Sequence, residues 1–162
     1  MSSLNRRSFL CLPLALAACG FTPAYGPKGP AKELQGAIFA ADPGDKNGFD
    51  LVERIEQQFG PPVMPRYDLT YVISVTSSGV GITPDNAITL YNLAGVVNWT
   101  LTERSTGARM TGGTVQSFTT YSASGLTISG LTAEDDASLR LMRILADQIV
   151  IRIIATSGDW AK

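Results

Sequence analysis

Histidine is absent from all 162 residues, and cysteine occurs twice. Losing histidine removes the commonest general base and the commonest transition-metal ligand together. Cys11 and Cys19 both sit in the first nineteen residues, so no thiol remains beyond them for a disulfide, a thiolate nucleophile or a soft-metal site. Cys/His zinc sites and Ser-His-Asp or Cys-His nucleophilic sites are thereby excluded. Lysine is also scarce: after Lys32 only Lys46 and Lys162 occur, and no Ser-x-x-Lys arrangement exists. Charged residues make up 17% of the chain and the net charge is −1. That is a poor basis for binding nucleic acid or an anionic membrane by charge. No apolar run approaches the roughly 20 residues that cross a bilayer, and there are no internal repeats or long heptad runs. The composition therefore excludes the catalytic and metal sites that depend on histidine or on a thiol beyond Cys19.

The first twenty residues have a definite layout. Arg6 and Arg7 form a positive head, and Phe9 to Ala18 is an apolar core interrupted by Pro13. Small residues then lead to a cysteine in Leu16-Ala-Ala-Cys19-Gly20. A basic head, a short apolar core and small residues at a cut site describe an export signal. Leu-Ala-Ala-Cys further resembles the lipobox of bacterial lipoproteins. Cleavage is expected between Ala18 and Cys19, with a diacylglycerol on the Cys19 sulfur and an acyl chain on its new amine. Two or three acyl chains anchor stably, whereas one is marginal. Gly20 stands where an aspartate would favour inner-membrane retention, so the outer membrane is expected. Arg6-Arg7-Ser-Phe-Leu10 also resembles a twin-arginine motif, and the export route stays open. Cleavage would leave 144 of the 162 residues, with 11 basic against 14 acidic side chains, a net of −3, and no cofactor beyond the lipid. That length is one domain's worth.

Residues 19–32 are rich in Gly, Pro and Ala and read as a non-helical tether between lipid and domain. Leu34 to Ala40 reads as a first strand. Asn47 to Phe59 reads as a helix capped by Asn47, with Val52, Ile55, Phe59 and Phe49 on its apolar face. Tyr67 to Thr76 alternates as a half-buried strand, followed by a Ser-Gly-Val-Gly loop. A long extended stretch runs from Ala87 to Glu103. Its apolar residues change phase between Leu90 and Val97, which predicts a bulge near Ala94-Gly95. Arg104 to Gly107 reads as a hairpin turn and Arg109 to Tyr121 as the returning strand. Leu131 to Thr156 is a helix with Thr132 as cap, Glu134-Asp135-Asp136 in its first turn and Gly158 as terminator. The order β-α-β-β-β-α predicts an α+β sandwich: a four-stranded, mostly antiparallel sheet with two helices on one face, forming a single domain over 33–162.

Two stretches carry a family resemblance. Cys19-Gly-Phe-Thr-Pro-Ala-Tyr-Gly26 resembles the segment after the lipobox in the LPS-assembly lipoprotein family, LptE. Ser117-Phe-Thr-Thr-Tyr-Ser122, a variable loop and a helix containing Leu145-Ala-Asp-Gln-Ile-Val150 resemble its C-terminal part. The resemblance implies a non-enzymatic outer-membrane lipoprotein on the periplasmic side. Such a protein docks inside the LptD β-barrel, aids its assembly and binds lipopolysaccharide on its way to the outer leaflet. The polar strand residues Thr70, Ser74, Thr76, Asn98, Thr100, Thr102, Thr114, Gln116, Thr119 and Thr120 suit a polar barrel lumen, and equally suit an ordinary solvated sheet. The competing reading is another outer-membrane lipoprotein, structural or accessory to barrel assembly. A lipid-anchored enzyme would have to rely on carboxylates alone.

Phosphates on lipid A call for arginine or lysine. Arg104 and Arg109 flank the hairpin turn, could converge at its tip, and are the candidate contacts; Arg66 and Lys46 rank behind them. Consecutive acids such as Glu134-Asp135-Asp136 do not face one another on a helix, so they form no metal or acid/base site. Asn98-Trp99-Thr100 matches a glycosylation sequon without consequence in a strand of a bacterial chain. Trp99 is expected to be a core or barrel-facing anchor, and Trp160 an exposed contact.

Overall fold

Three long strands dominate the computed structural model, which describes Gly26 and residues 29–82, 88–122 and 127–161. Ala18, Cys19 and the post-cysteine motif up to Tyr25 lie outside the described residues. The elements are α1 (Pro30–Glu33), β1 (Ile38–Ala40), α2 (Lys46–Phe59), β2 (Tyr67–Ile82), β3 (Ile88–Glu103), β4 (Arg109–Ser122) and α3 (Thr127–Trp160). The sheet order is β1-β2-β3-β4; β1 runs parallel to β2 and the other pairs are antiparallel. The expected sandwich is thus the observed one. Among the described residues no helix is long and apolar enough to cross a membrane.

Alternation decides which strand residues face the helices. Tyr67 and Leu69 of β2, Leu93, Val97, Trp99 and Leu101 of β3, and Val115 and Tyr121 of β4 are buried. Paired residues share a face, so Leu69–Leu101 and Val97–Val115 form rungs of one core. β2 runs on to Ile82 and takes in the expected Ser-Gly-Val-Gly loop. The register slips there, between Gly79 and Ile82, and again at Leu101/Thr102, while the ladder is regular through Ala94-Gly95. The expected bulge is therefore misplaced. Ile88 and Leu90 do not signal a phase change at Ala94-Gly95, because they are 43% and 40% exposed and lie beside the register slip between Gly79 and Ile82.

α3 lies along the whole sheet. A helix of 34 residues spans about 50 Å, as does a strand of 16. Ala137, Leu141, Leu145, Ile149, Ile153 and Ser157 recur every fourth residue and are fully buried. Such a row drifts about 40° around the axis at each step. A straight flat surface could not cover it, but a twisted sheet with α2 alongside does. Gly95 marks the closest approach: a Cβ there would lie 3.0 Å from both Leu141 and Leu145. Ile144, one residue off this row, is 40% exposed.

Both helices begin earlier than expected. α2 starts at Lys46, and its N-cap is Asp45, whose carboxylate accepts the Gly48 N–H at 2.7 Å. Asn47 instead accepts a hydrogen bond from Ser138 of α3. Leu51 fills the core and Phe49 points outward. α3 starts at Thr127, so Thr132 is not its cap, the three acids lie beyond its first turn, and Gly158 is inside it. Asp136 pairs with Arg140, four residues on. Arg54 of α2 holds Asp147 of α3 through two bonds of 2.8 and 3.2 Å. That hydrogen bonding raises the Arg54 pKa above its ordinary value. The tether reading also ends too late: Pro30–Glu33 is a helical turn, with Pro in its first turn and Ala31 buried. Only the last three residues of the expected first strand pair with β2.

Candidate functional site

Helices cover one face of the sheet, and among the described residues no element covers the other. The ladder fixes its rungs. Phe39, Asp68, Thr102 and Arg109 form the first, followed by Thr70–Thr100–Gly112, Val72–Asn98–Thr114, Ser74–Val96–Gln116 and Thr76–Ala94–Phe118. The polar side chains expected on this surface are there, with one exception. Thr119 faces the helices and donates to the Ala137 carbonyl at 3.0 Å. Thr114 donates to Asn98 at 2.6 Å, so the sequon asparagine is part of a hydroxyl–amide lattice. Val72 and Phe118 stand out of that lattice, 65% and 66% exposed.

The candidate arginines share one end of this face without forming one site. Arg104 reaches toward β2. Its Nε and Nη2 donate to Asp68 at 3.0 and 2.6 Å, and its guanidinium lies 5.2 Å from the centre of the Phe39 ring. The hydrogen bonds to Asp68 raise its pKa above the ordinary value. Arg109 makes no ion pair among the described residues. The bulge at Leu101/Thr102 turns it across the open face, over Gly112. A Cβ at Gly112 would meet Arg109 Nη2 at 2.7 Å and the Trp99 carbonyl at 2.8 Å, so glycine makes the room. There Arg109 borders a shallow groove of about 380 Å³ shared with Thr70, Val72, Asn98, Thr100 and Thr114. The Asn98 amide, the Thr100 hydroxyl and the Arg109 guanidinium can donate to a phosphate or another polar anion, while the Thr70 and Thr114 hydroxyls already donate to the Thr100 carbonyl and to Asn98. The only carboxylate on the rungs of this face, Asp68, is already neutralised by Arg104.

The remaining candidates have structural partners. Arg66 lies 5.5 Å over the Tyr67 ring, and its carbonyl accepts the Arg104 N–H. Lys46 pairs with Asp50 at 2.9 Å, and that hydrogen bond raises its pKa. Trp99 is core, 3% exposed, with no hydrogen-bond partner for its indole N–H. Trp160 is not an exposed contact: it packs edge-on to Tyr67 at 5.0 Å and donates to Thr156. Among the described residues no group of three acidic, histidine or cysteine side chains could hold a metal ion. Sequence reasoning missed Gly112 and the bulge that aims Arg109. The Gly112-Gly113 pair in a strand was the available signal.

The LptE family, described as lipopolysaccharide-assembly, matches residues 32–153. This chain belongs to the LptE family. The match takes in every strand, α2 and most of α3, and so the whole open face. Solved structures agree in fold. A lipoprotein of Caulobacter crescentus CB15 is 16% identical, with a TM-score of 0.64, covering 80% of this chain and 96% of its own. Rare lipoprotein B of Shewanella oneidensis is 13% identical, with a TM-score of 0.59, covering 78% and 98%. A minor lipoprotein of Acinetobacter baumannii is 14% identical, with a TM-score of 0.55, covering 74% and 89%. No curated protein matches the chain by sequence.

Proposed function

We propose that this LptE-family chain is a non-catalytic outer-membrane lipoprotein, anchored through acylated Cys19 on the periplasmic side. Its uncovered sheet face docks against the inner wall of an LptD-type β-barrel, and its Arg109 groove takes a phosphate of lipopolysaccharide. The family match over 32–153 carries this reading. Two physical features support it. A barrel lumen is polar, and the rungs of the open face carry threonine, serine, asparagine and glutamine, with Val72 and Phe118 as exposed apolar side chains among them. A barrel wall also needs a partner with a firm surface, and this face is stiffened by three long strands and a helix laid along them.

Photocrosslinking from Val72, Asn98 and Gln116 tests the docking, with Ile151 on the outside of α3 as the reference position. Ile151 is 65% exposed. Crosslinks to one large barrel from the sheet positions alone are expected. A stable monomer that leaves its own membrane without such a partner would refute the reading. Depleting the protein should remove lipopolysaccharide from the cell surface before other barrels are lost. Intact mass of the native chain should show residues 1–18 gone and three acyl chains on Cys19.

A further inference from the structure

The loop between α2 and β2, Gly60-Pro-Pro-Val-Met-Pro-Arg66, carries the two most exposed large hydrophobic side chains among the described residues. Val63 is 78% and Met64 79% exposed. Lone exposed apolar residues are ordinary, but these two are adjacent, flanked by prolines and held in place. The N–H groups of Val63 and Met64 both donate to the Gly36 carbonyl, at 3.0 and 3.2 Å. Gly36 in turn donates to Phe59 at 2.7 Å, and Arg66 and Tyr67 both donate to the Ala37 carbonyl. Three prolines restrict the backbone further. The loop is therefore pinned, and its apolar side chains cannot fold back under the domain. They border a shallow hollow of about 430 Å³ lined by Gln35, Gly36, Gly60 and Pro61.

The chain arrives from its N-terminal segment at this same place. Residues 34–37, which cradle the loop, follow directly on α1. Ten residue steps separate Cys19 from Gly29, which at full extension reach no more than about 36 Å. A lipid on Cys19 would therefore hold Gly29 within about 36 Å of the leaflet surface. The loop contains no acidic residue. Lys32 and Glu33 on α1 offset each other, leaving the exposed Arg66 guanidinium beside the apolar pair.

We propose that Pro61–Met64 is a membrane-contact site, seated in the headgroup region of the leaflet that holds the acyl chains. The proposal rests on acylation of Cys19. With the acyl chains supplying the affinity, the loop supplies orientation. It holds the Arg66, Arg104 and Arg109 end of the sheet at the level of the periplasmic leaflet and leaves the opposite end of the strands free to enter a barrel.

The test uses the full acylated chain in vesicles of phosphatidylethanolamine and phosphatidylglycerol. Acylated Cys19 offers no thiol, so Met64→Cys provides a single labelling position for a polarity-sensitive fluorophore. Ser78→Cys, exposed at the opposite end of β2, is the reference. Circular dichroism checks that both variants keep the fold. The label at 64 should shift to the blue, lose emission to a doxyl lipid and resist iodide. The label at 78 should do the reverse. Equal iodide quenching at 64 and 78, in protein that still floats with the vesicles, overturns the loop contact and leaves the anchor intact. A free Cys19 thiol in protein that does not float overturns both.

Discussion

Gly95 is where the helix comes closest to the sheet, and replacing it tests the packing directly. An alanine methyl would sit 3.0 Å from Leu141 Cδ2 and from Leu145 Cδ1. Carbon atoms prefer about 3.5–4.0 Å, so both leucines would have to withdraw by roughly half an ångström. Each is fully buried and they stand on one helix, so neither has free space to move into. Overpacking of this kind costs about 1–3 kcal/mol. Replacing glycine by alanine also restricts the unfolded chain and returns about 0.4–1 kcal/mol. The expected net loss for Gly95→Ala is about 1 kcal/mol. Gly113 on the same face has only Arg152 Nη1 near, at an ordinary 3.4 Å. There the unfolded-state gain stands alone, and Gly113→Ala should be stabilising by about 0.4–1 kcal/mol. Urea unfolding followed by Trp99 and Trp160 emission measures both. In a Leu145→Ala background the Gly95 penalty should shrink, because one of the two clashing leucines is gone while Leu141 remains; the coupling should reach at least about 0.5 kcal/mol. Equal stability of the two glycine variants, or an additive double variant, would refute the argument from close approach.

Asp45→Ala removes the α2 N-cap and should lower stability by about 1 kcal/mol in the same assay; the helix should show no comparable dependence on Asn47 as a cap, since Asn47 bonds Ser138. Arg109→Ala should weaken lipopolysaccharide binding while leaving the unfolding midpoint unchanged, whereas Arg104→Ala, which frees Asp68 and Phe39, should shift the midpoint; the opposite pattern would move the site to Arg104. Tyr71 donates to the Ala41 carbonyl at 3.1 Å, and burial, then the charges of Asp45 and Asp42, push its pKa above the ordinary value. A raised folded pKa means that its contribution is complete below pH of about 10 and is lost as pH rises through the folded value. Stability against pH should therefore fall less steeply above pH 10 in Tyr71→Phe than in the wild type, and parallel curves would contradict the shift.

Periodicity made most of the fold legible. Tyr67 to Val75 alternates because one side of β2 is buried, and Leu141, Leu145 and Ile149 repeat because one stripe of α3 is. The errors have a common source. A phase change between Leu90 and Val97 predicts a bulge only where both sets face inward, and Ile88 and Leu90 are exposed near the start of β3, so their parity says nothing of the register at Ala94-Gly95. The caps were misplaced by one or a few residues because Asp45, Asn47 and Thr132 are all good capping types, and only the backbone conformation selects among them. Trp160 looked like a terminal contact because nothing local announces Tyr67 as its partner.

The sequence by itself settled the chemistry that is missing and the order of the elements. Without histidine, and without a thiol beyond Cys19, no arrangement in space could restore the corresponding sites, and β-α-β-β-β-α can bury its apolar stripes in few ways. The tertiary structure alone decided what each surviving charge does. Arg104 and Arg109 are equivalent as letters beside a turn, yet Asp68 on the neighbouring strand neutralises one, while a bulge and Gly112 lay the other across the open face. Pairing across strands depends on register, and register is set by contacts distant in sequence.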